Sequence, residues 1–446
     1  MTESTSRLPR IFRVRSRFER PRVEDAAATV RSELRRIGVM TSIRTGDRVA
    51  ITAGSRGIAD LPAILGAVVA EVRAAGGQPF LVPAMGSHGG ATADGQRRVL
   101  QRLGVTESTC GCPIIASMET VVIGNAPLGF PIHFDRAAHE AQHVIVCNRI
   151  KPHTTLEGTI QSGLLKMLLI GLGKSRGAYI YHRAILEHRF DAIVQQVAHE
   201  VLARCPILAG VAIVENAYDE TAVVEAVRPA DFVTREPELL RLAYTLMPRL
   251  PFDPVDLLLV DRIGKDISGT GLDTSLVGRK HDPSSFGRPI ETAGASAGAH
   301  VRYIAVRDLT AATEGNAAGI GLVEFCRKRV IDKMDRDKTR LNAITAGHVE
   351  AARLPVDFQS DREILETALG SAGLAPLHAT RLLWIRDTLG LAEVECSERY
   401  WESAARRSDL EILSELRSLP IGPHGNLPDD WFDHPGSERH ESERTS

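Results

Sequence analysis

The feature that most constrains the fold is a repeated alternation of short apolar strands with amphipathic helical segments. A buried strand at 47–52 leads through a glycine turn into a helical pattern at 61–75. A second strand at 79–83 leads through a glycine-rich loop into a helical segment at 91–103. Strands that alternate with helices predict a parallel sheet covered by helices. We therefore expect an α/β protein, whose ligands gather beyond the carboxyl ends of the strands.

The chain has 446 residues, which is enough for two or three domains. A second alternation begins after the prolines at 251–254, and an apolar strand there precedes a glycine-rich loop at 264–271. A strand at 301–306 follows, and the pattern from Asp308 onward predicts a helix. We therefore predict two α/β domains with mostly parallel sheets, at 1–250 and 251–421, followed by a flexible polar tail at 422–446.

Composition excludes several classes of protein. The 54 basic and 56 acidic residues leave a net charge of −2, which argues against a nucleic-acid partner. No apolar run approaches the roughly 18 residues of a membrane span, so no membrane partner is expected. The six cysteines are scattered, which suits a reducing cytoplasm. The Arg-rich N-terminus lacks an apolar secretion signal, and the even spacing of Phe12, Val14 and Phe18 predicts a half-exposed strand there.

One motif is typical of zinc hydrolases. His139, Glu140 and His143 match H-E-x-x-H, which on a helix would place both imidazoles on one face. The segment from Val144 reads as a strand that begins directly after His143, so we keep a zinc hydrolase only as an alternative.

A second motif, Gly173-Lys174-Ser175, ends like a phosphate-binding loop. The position five residues before Gly173, where such a loop requires glycine, is Leu168.

A single lysine, Lys166, lies inside the apolar run 163–171. Burying an ammonium group is costly and lowers its pKa, so a buried lysine is often a nucleophile or an attachment point. The alternative is a lysine that extends its charged end to solvent from an amphipathic helix. Lys166 follows His153 by 13 residues and precedes His182 by 16.

Two further candidates follow the first two strands. Arg56 lies in the loop after the first strand and His88 in the loop after the second. Histidine can exchange protons near neutral pH or bind a metal, and arginine suits a carboxylate or phosphate. The sequence therefore predicts a site for an anionic ligand at this edge of the sheet.

Taken in order, these segments resemble the nickel-pincer-nucleotide-dependent lactate racemase family. The resemblance rests on the following motifs, and extends through the loop at 264–271: Gly54-Ser55-Arg56, Gly86-Ser87-His88, Lys151-Pro152-His153, Gly163-Leu164-Leu165-Lys166 and Tyr181-His182. It implies two α/β domains with the active site in the cleft between them. It also implies a pyridinium-3,5-bisthiocarboxylic acid mononucleotide that holds nickel through sulfur, carbon and sulfur.

The resemblance assigns a role to each candidate. Lys166 matches the lysine that is bonded covalently to the cofactor, and His182 matches the protein's nickel ligand. His88 and His153 match the two acid/base histidines, which serve opposite faces of the substrate. Arg56 matches a substrate-binding arginine, and Lys265 a lysine near the same anion that binds the cofactor. The implied reaction is racemisation or epimerisation at C2 of a 2-hydroxy acid by proton-coupled hydride transfer, which makes the protein an isomerase.

The sequence departs from the family's best-known members. Ala53 occupies a position where they carry aspartate, and the segment before Lys166 is less rich in glycine. These departures indicate an outlying branch. Polar residues such as Thr154 and Gln161 near the site favour a sugar acid such as gluconate, with a small lactate- or malate-type acid as the alternative. A non-catalytic ligand-binding protein is the second alternative. Besides the substrate, the expected partners are the enzymes that make the cofactor, and the oligomeric state stays open.

Overall fold

The computed structural model of the protein describes residues 7–280, 298–373 and 375–433. The chain divides into two compact units. The five-stranded unit is Glu19–Met247. The eight-stranded unit combines residues 7–18 with the described residues from 248 onward. Within the described ranges, no helix is long and apolar enough to cross a membrane.

The described residues form strands and α-helices with the following bounds. The strands are β1 (Ile11–Ser16), β2 (Arg48–Ala53), β3 (Gln78–Pro83), β4 (Thr120–Asn125), β5 (Pro131–Asp135), β6 (His143–Arg149), β7 (Ile207–Glu215), β8 (Thr221–Val227), β9 (Val255–Ile263), β10 (Val301–Leu309), β11 (Phe325–Arg327), β12 (Val356–Phe358), β13 (Leu382–Ile385), β14 (Glu393–Ser397) and β15 (Leu410–Ile412). The helices are α1 (Ala26–Ile37), α2 (Leu61–Ala74), α3 (Ala93–Arg102), α4 (Glu107–Cys110), α5 (Arg136–His139), α6 (Leu164–Lys166), α7 (Lys174–Glu187), α8 (Phe190–Arg204), α9 (Phe232–Leu246), α10 (Lys328–Lys333), α11 (Arg336–Thr345), α12 (Asp361–Ser371) and α13 (Trp401–Ala405).

The five-stranded unit is built on a sheet with strand order β3-β2-β6-β7-β8. The first four strands are parallel, and β8 runs antiparallel to β7. Strands β4 and β5 form a separate antiparallel pair. Successive residues of β2 enter opposite cores, because Ala50 packs with α6 to α9 and Ile51 packs with α1 and α2. The predicted α/β class with a mostly parallel sheet is confirmed.

Local sequence explains the helix ends in this unit. The Asp25 side chain accepts a hydrogen bond from the Ala28 N–H at 2.8 Å, so α1 begins where its sequence offers a cap. It ends at Gly38, whose φ of 70° suits glycine. The predicted helices at 61–75 and 91–103 appear as α2 and α3, shifted by a residue or two at their ends.

The eight-stranded unit has the strand order β12-β11-β10-β9-β13-β14-β1-β15. Strands β9 to β13 run parallel to one another, whereas the β13–β14, β14–β1 and β1–β15 pairs are antiparallel. The strand predicted at 301–306 is β10. The helix predicted from Asp308 onward is wrong, because β10 continues to Leu309, which pairs with Ile263. The next α-helix after β10 begins at Lys328.

The N-terminal segment differs from its prediction in two ways. It was predicted to belong to an N-terminal domain at 1–250, but β1 pairs with β14 and β15 and so belongs to the eight-stranded unit. It was predicted to be half exposed, but Ile11, Phe12 and Val14 are fully buried. Arg13 is also buried, and its Nε lies 2.8 Å from Glu395. Ion pairing lets arginine lie inside this sheet.

The C-terminal segment packs further than the predicted flexible tail at 422–446 allows. Leu427 is buried at 3% exposure, and the Trp431 ring stacks on Trp384 with centroids 5.6 Å apart. The Trp431 Nε1 donates to Glu395 at 2.9 Å. Two tryptophans and one leucine therefore anchor this segment to the sheet. The rest of the predicted tail, 434–446, lies outside the described residues.

Candidate active site

Three of the loops that were predicted to form the site follow the strands β2, β3 and β6. These strands are parallel neighbours, so their carboxyl ends meet at one edge of the five-stranded sheet. Arg56 follows β2, His88 follows β3, and His153 follows β6. The structure therefore brings three of the predicted residues to one edge, as expected for an α/β ligand site.

His88 is linked to the neighbouring loop through a short hydrogen bond. Its Nδ1 lies 2.5 Å from the Ser55 hydroxyl, next to Arg56 in sequence. The buried Gln96 side chain supports this loop by donating to the Gly86 carbonyl at 2.9 Å. Gly86 has a φ of 59°, and a Cβ there would lie 3.2 Å from Ile170. The loop therefore packs against the apolar run 163–171 around Lys166, called the lysine segment below. A hydroxyl partner can donate to or accept from the imidazole.

His153 is held by different partners. Its Nδ1 accepts hydrogen bonds from the backbone N–H groups of Thr155 and Leu156, both at 3.1 Å. Its own backbone N–H donates to the buried Gln161 side chain at 3.0 Å. Because Nδ1 accepts from backbone donors, the neutral ring carries its proton on Nε2. Gln161 lies just before the lysine segment, so its hydrogen bond with His153 connects the His153 loop to the start of that segment.

Lys166 ends the short helix α6. A π-helical turn at Met167–Gly171 follows, and then α7. Local π-helical geometry is frequent at functional sites. The lysine side chain is half-buried. Burial in the surrounding protein and the positive charge of Arg56 lower the pKa of Lys166 to about 7. The amine is therefore substantially neutral, and so nucleophilic, near pH 7.

Two more predicted residues are electrostatically coupled to Lys166. His182 lies on α7, and the surrounding protein together with the charge of Lys166 lowers its pKa. The surrounding protein and the charge of Arg149 lower the pKa of Arg56. Sequence reading missed Arg149, which ends β6 and forms an ion pair with Glu215 at the end of β7. Arg56, Lys166 and His182 are thus electrostatically coupled through Lys166, and a neutral imidazole at His182 suits metal binding.

A second lysine missed by sequence reading supports the same region. Lys174 is fully buried, and its Nζ lies 2.9 Å from the fully buried Asp135. It also donates to the Pro83 carbonyl at the end of β3. Its φ of 54° is unusual for a residue with a side chain. Lys174 therefore ties the start of the helix that carries His182 to the strand that precedes His88.

Glu236 is the third residue that sequence reading missed. It lies on α9 with 1% exposure, and it accepts a hydrogen bond from the Leu165 N–H at 2.9 Å. Nothing in its surrounding sequence marks it, because α9 carries several other charged residues. Only its contact with the Leu165 N–H, which the fold creates, links Glu236 to the site.

Lys265 lies in the eight-stranded unit, in the loop that follows β9. Its N–H donates to the Thr313 hydroxyl at 3.1 Å, and its Nζ donates to the Gly269 carbonyl. The predicted loop therefore exists at a strand end of its own unit. Its role beside the cofactor stays a prediction.

The zinc-hydrolase motif does not have the geometry it would need. His139 ends α5, whereas His143 begins β6. The two imidazoles are thus not presented from one helix face, and His143 Nε2 instead lies 3.2 Å from Asp47. Within the described part of the chain, no group of three or more His, Cys, Asp or Glu side chains is arranged to hold a metal ion.

The fold and these contacts define a class of protein. It is an α/β protein whose strand-end loops carry an arginine and two histidines, while the helical segment α6 to α7 carries an amine and a third imidazole. Such a set can bind an anion, attach a carbonyl or carboxyl-derived group, and exchange protons.

Comparison with known proteins finds a matching family model for part of the chain. Residues 13–192 match the family model of the lactate racemase N-terminal domain. This match supports the predicted resemblance to the lactate racemase family over that part of the chain. A match to this domain supports an isomerase of the racemase or epimerase type. No curated protein matches the chain.

Solved structures show a similar fold. The lactate racemase apoprotein from Thermoanaerobacterium thermosaccharolyticum matches with a TM-score of 0.51 and 13% identity, over 85% of this chain and 99% of that one. A Thermotoga maritima protein from a structural genomics consortium matches with a TM-score of 0.47 and 11% identity, over 73% of this chain and 82% of that one. At this identity, the first match shows a shared α/β fold.

Proposed function

We propose that the protein inverts the configuration at C2 of a 2-hydroxy acid, using a nickel-pincer nucleotide attached to Lys166. The observation that carries the proposal is the coupling of Arg56, Lys166 and His182 at a strand-end edge of a lactate racemase N-terminal domain. These are the residues that the family resemblance assigns to substrate, cofactor and metal.

The donor chemistry of this chain fits the cofactor. Covalent attachment needs a neutral amine, and Lys166 has a pKa of about 7. A metal ligand must be an uncharged imidazole, and the lowered pKa of His182 keeps it uncharged near neutral pH. When bound, the cofactor would supply a site that accepts a hydride from the substrate and returns it. In the same proposal, Lys265 contacts the cofactor.

The protein's own residues would handle the substrate's charge and its proton. Arg56 would bind the carboxylate of the 2-hydroxy acid through paired hydrogen bonds. His88 and His153 would exchange the hydroxyl proton, one for each configuration at C2. Their hydrogen bonds support different starting states. His88 faces the Ser55 hydroxyl, which tolerates either tautomer, whereas neutral His153 presents its Nε2 proton as a hydrogen-bond donor.

The proposal extends to substrate and location. We favour a polar sugar acid such as gluconate, because Thr154, Thr155 and Gln161 lie in the loop that carries His153. A lactate- or malate-type acid is the alternative. We place the protein in the cytoplasm, where the enzymes that make the cofactor would be its partners. All six cysteines are unpaired and buried, in keeping with that placement.

Mass spectrometry tests the attachment. Protein co-expressed with the cofactor-making enzymes should carry the cofactor on Lys166, and Lys166→Ala should lose it. The matched control is Lys328→Ala, a lysine on α10 that pairs with Asp332 and should keep the adduct. If no adduct forms on the wild-type chain, the non-catalytic binding protein becomes the better reading.

Two further measurements test the nickel ligand and the substrate. His182→Ala should keep the adduct on Lys166 but lose nickel, and full nickel occupancy in this variant would refute the ligand assignment. The loaded enzyme should invert C2 in a panel of 2-hydroxy acids. Inversion of lactate with gluconate left untouched would overturn the sugar-acid preference while keeping the reaction.

A further inference from the structure

The lysine segment is capped from a distant helix. Glu236 on α9 places its carboxyl group at the start of α6, where Oε2 accepts the Leu165 N–H at 2.9 Å. The first N–H groups of any helix lack partners within the helix. Here a side chain 71 residues away along the chain supplies the partner immediately before Lys166.

The residue before this helix is held from two sides. The Gly163 carbonyl accepts a hydrogen bond from the Asn148 side chain at 2.9 Å, near the end of β6. Gly163 has a φ of 130°, and a Cβ there would lie only 2.8 Å from the Glu236 carboxyl carbon and 2.9 Å from Ile150. The glycine therefore permits Glu236 to approach the backbone closely. The segment that leads into Lys166 is fixed between a strand and α9.

Glu236 is costly to keep at this position. Its side chain is 1% exposed, and its Oε1 is buried without a hydrogen-bond partner among the described residues. Burial raises the pKa of the Glu236 carboxyl group to about 8. An apolar residue of similar size would avoid this desolvation. Such a departure from good packing is expected where a functional group must be held in place.

We propose that Glu236 is a positioning residue for Lys166, because its buried carboxyl group holds the first turn of α6 and so keeps the Lys166 amine beside Arg56. The inference rests on the proposed function only in treating Lys166 as the reactive lysine. The position of Lys166 can be measured in the cofactor-free chain, so the two proposals can fail separately.

The main experiment measures how the acetylation rate of Lys166 depends on pH. Peptide mass spectrometry would follow the folded, cofactor-free protein. The wild type should titrate at about 7, whereas Glu236→Leu should raise the apparent pKa of Lys166 by about one unit or more, since the freed lysine gains water. Glu236→Gln keeps an acceptor for the Leu165 N–H, so it should restore the wild-type profile.

A matched control separates positioning from general destabilisation. Glu71 on α2 is also buried, at 7% exposure, and pairs with Arg35 at 2.7 Å. Glu71→Leu should lower the free energy of unfolding but leave the pH profile of Lys166 unchanged. A folded Glu236→Leu variant with the wild-type profile would overturn the proposal, as would equal shifts in both leucine variants.

A second measurement covers the case in which Glu236→Leu does not fold. Amide hydrogen exchange in the wild type should show the Leu165 N–H protected by about tenfold or more over an exposed amide, because its partner is buried. Exchange at the rate of an open loop would mean that the cap is not formed, and would overturn the proposal. Neither measurement depends on nickel, cofactor or substrate. A missing adduct on Lys166 would therefore refute the proposed function alone.

Discussion

Lys166 and Lys174 lie in one stretch of the chain, eight residues apart, and protein surrounds both. Their neighbours differ. The Lys174 Nζ lies 2.9 Å from the buried Asp135 carboxylate, whereas the charged group that acts on Lys166 is another cation, Arg56. Burial lowers the pKa of both lysines, but only Lys174 has a carboxylate that opposes the shift.

The difference shows that burial alone does not make a lysine reactive. A buried ammonium paired with a carboxylate becomes part of the structure, and removing one partner leaves an uncompensated charge. A buried ammonium next to a cation is driven towards the neutral amine instead. Lys174 thus supports the fold that presents His182, while Lys166 is left available for chemistry.

The largest expected effect is on stability. Lys174→Met should lower the free energy of unfolding by about 3–5 kcal/mol, because Asp135 stays buried without its partner. Lys166→Met should lower the free energy of unfolding by about 1 kcal/mol or less, or should increase it, because the substitution removes a desolvated charge from the folded protein. Urea unfolding compares the two. Adding Asp135→Leu to Lys174→Met should recover much of the loss, and equal costs for the two single variants would erase the distinction.

The next effect is on reactivity. Near pH 7.5, acetic anhydride should label Lys166 about tenfold or more faster than the exposed Lys328, because an ordinary lysine with a pKa of about 10.4 is almost entirely charged there. Lys174 should stay unlabelled until the protein unfolds, since its side chain is fully buried. Peptide mass spectrometry gives the three rates. Faster labelling of Lys174 than of Lys166 would reverse the assignment of the two lysines.

A smaller effect should follow from removing the neighbouring cation. Arg56→Met should raise the apparent pKa of Lys166 by about one unit, because the like charge that lowers it is gone. The pH dependence of Lys166 labelling measures the shift. Arg98→Met, an exposed arginine on α3, serves as the control and should leave the profile in place. An unchanged profile in Arg56→Met would mean that burial alone sets the pKa.

The smallest effect is on the pH dependence of stability. Between pH 7 and about 10, folded Lys166 is largely neutral while unfolded lysine binds a proton, so stability should rise with pH in this range. The wild type should gain about 1 kcal/mol relative to Lys166→Met between pH 7 and pH 9, a discounted value because the side chain is only half-buried. Urea unfolding at both pH values checks this, and a gain at lower pH would contradict the pKa direction.

The sequence marked one of these lysines and not the other. Lys166 is visible because it interrupts an apolar run, and that pattern is local. Lys174 is part of Gly173-Lys174-Ser175, a phosphate-loop motif that lacks its required glycine, and nothing in that motif indicates burial. Its burial depends on Asp135 and Pro83, which come from β5 and β3. No local pattern indicates that these three segments meet.

The contrast between local patterns and contacts of distant segments also applies to the fold. The strands and helices of the five-stranded unit could be predicted closely, because the alternation of apolar residues follows the geometry of each element. The helix predicted from Asp308 failed, since pairing with Ile263 extends β10 beyond the point where the local pattern suggests a helix. The assignment of β1 failed for a similar reason, because its partners β14 and β15 lie nearly 400 positions away along the chain.

The sequence by itself determined the α/β class, the parallel strand-end loops, and Arg56, His88, His153, Lys166 and His182 as candidates. Periodicity and motif spacing are properties of neighbouring residues, so they can be read without the fold. Only the tertiary structure decided that Lys174 would pair with Asp135 and that Glu236 would cap the lysine helix. Those contacts join elements distant in sequence, and the burial that gives them their energy exists only once the elements have packed together.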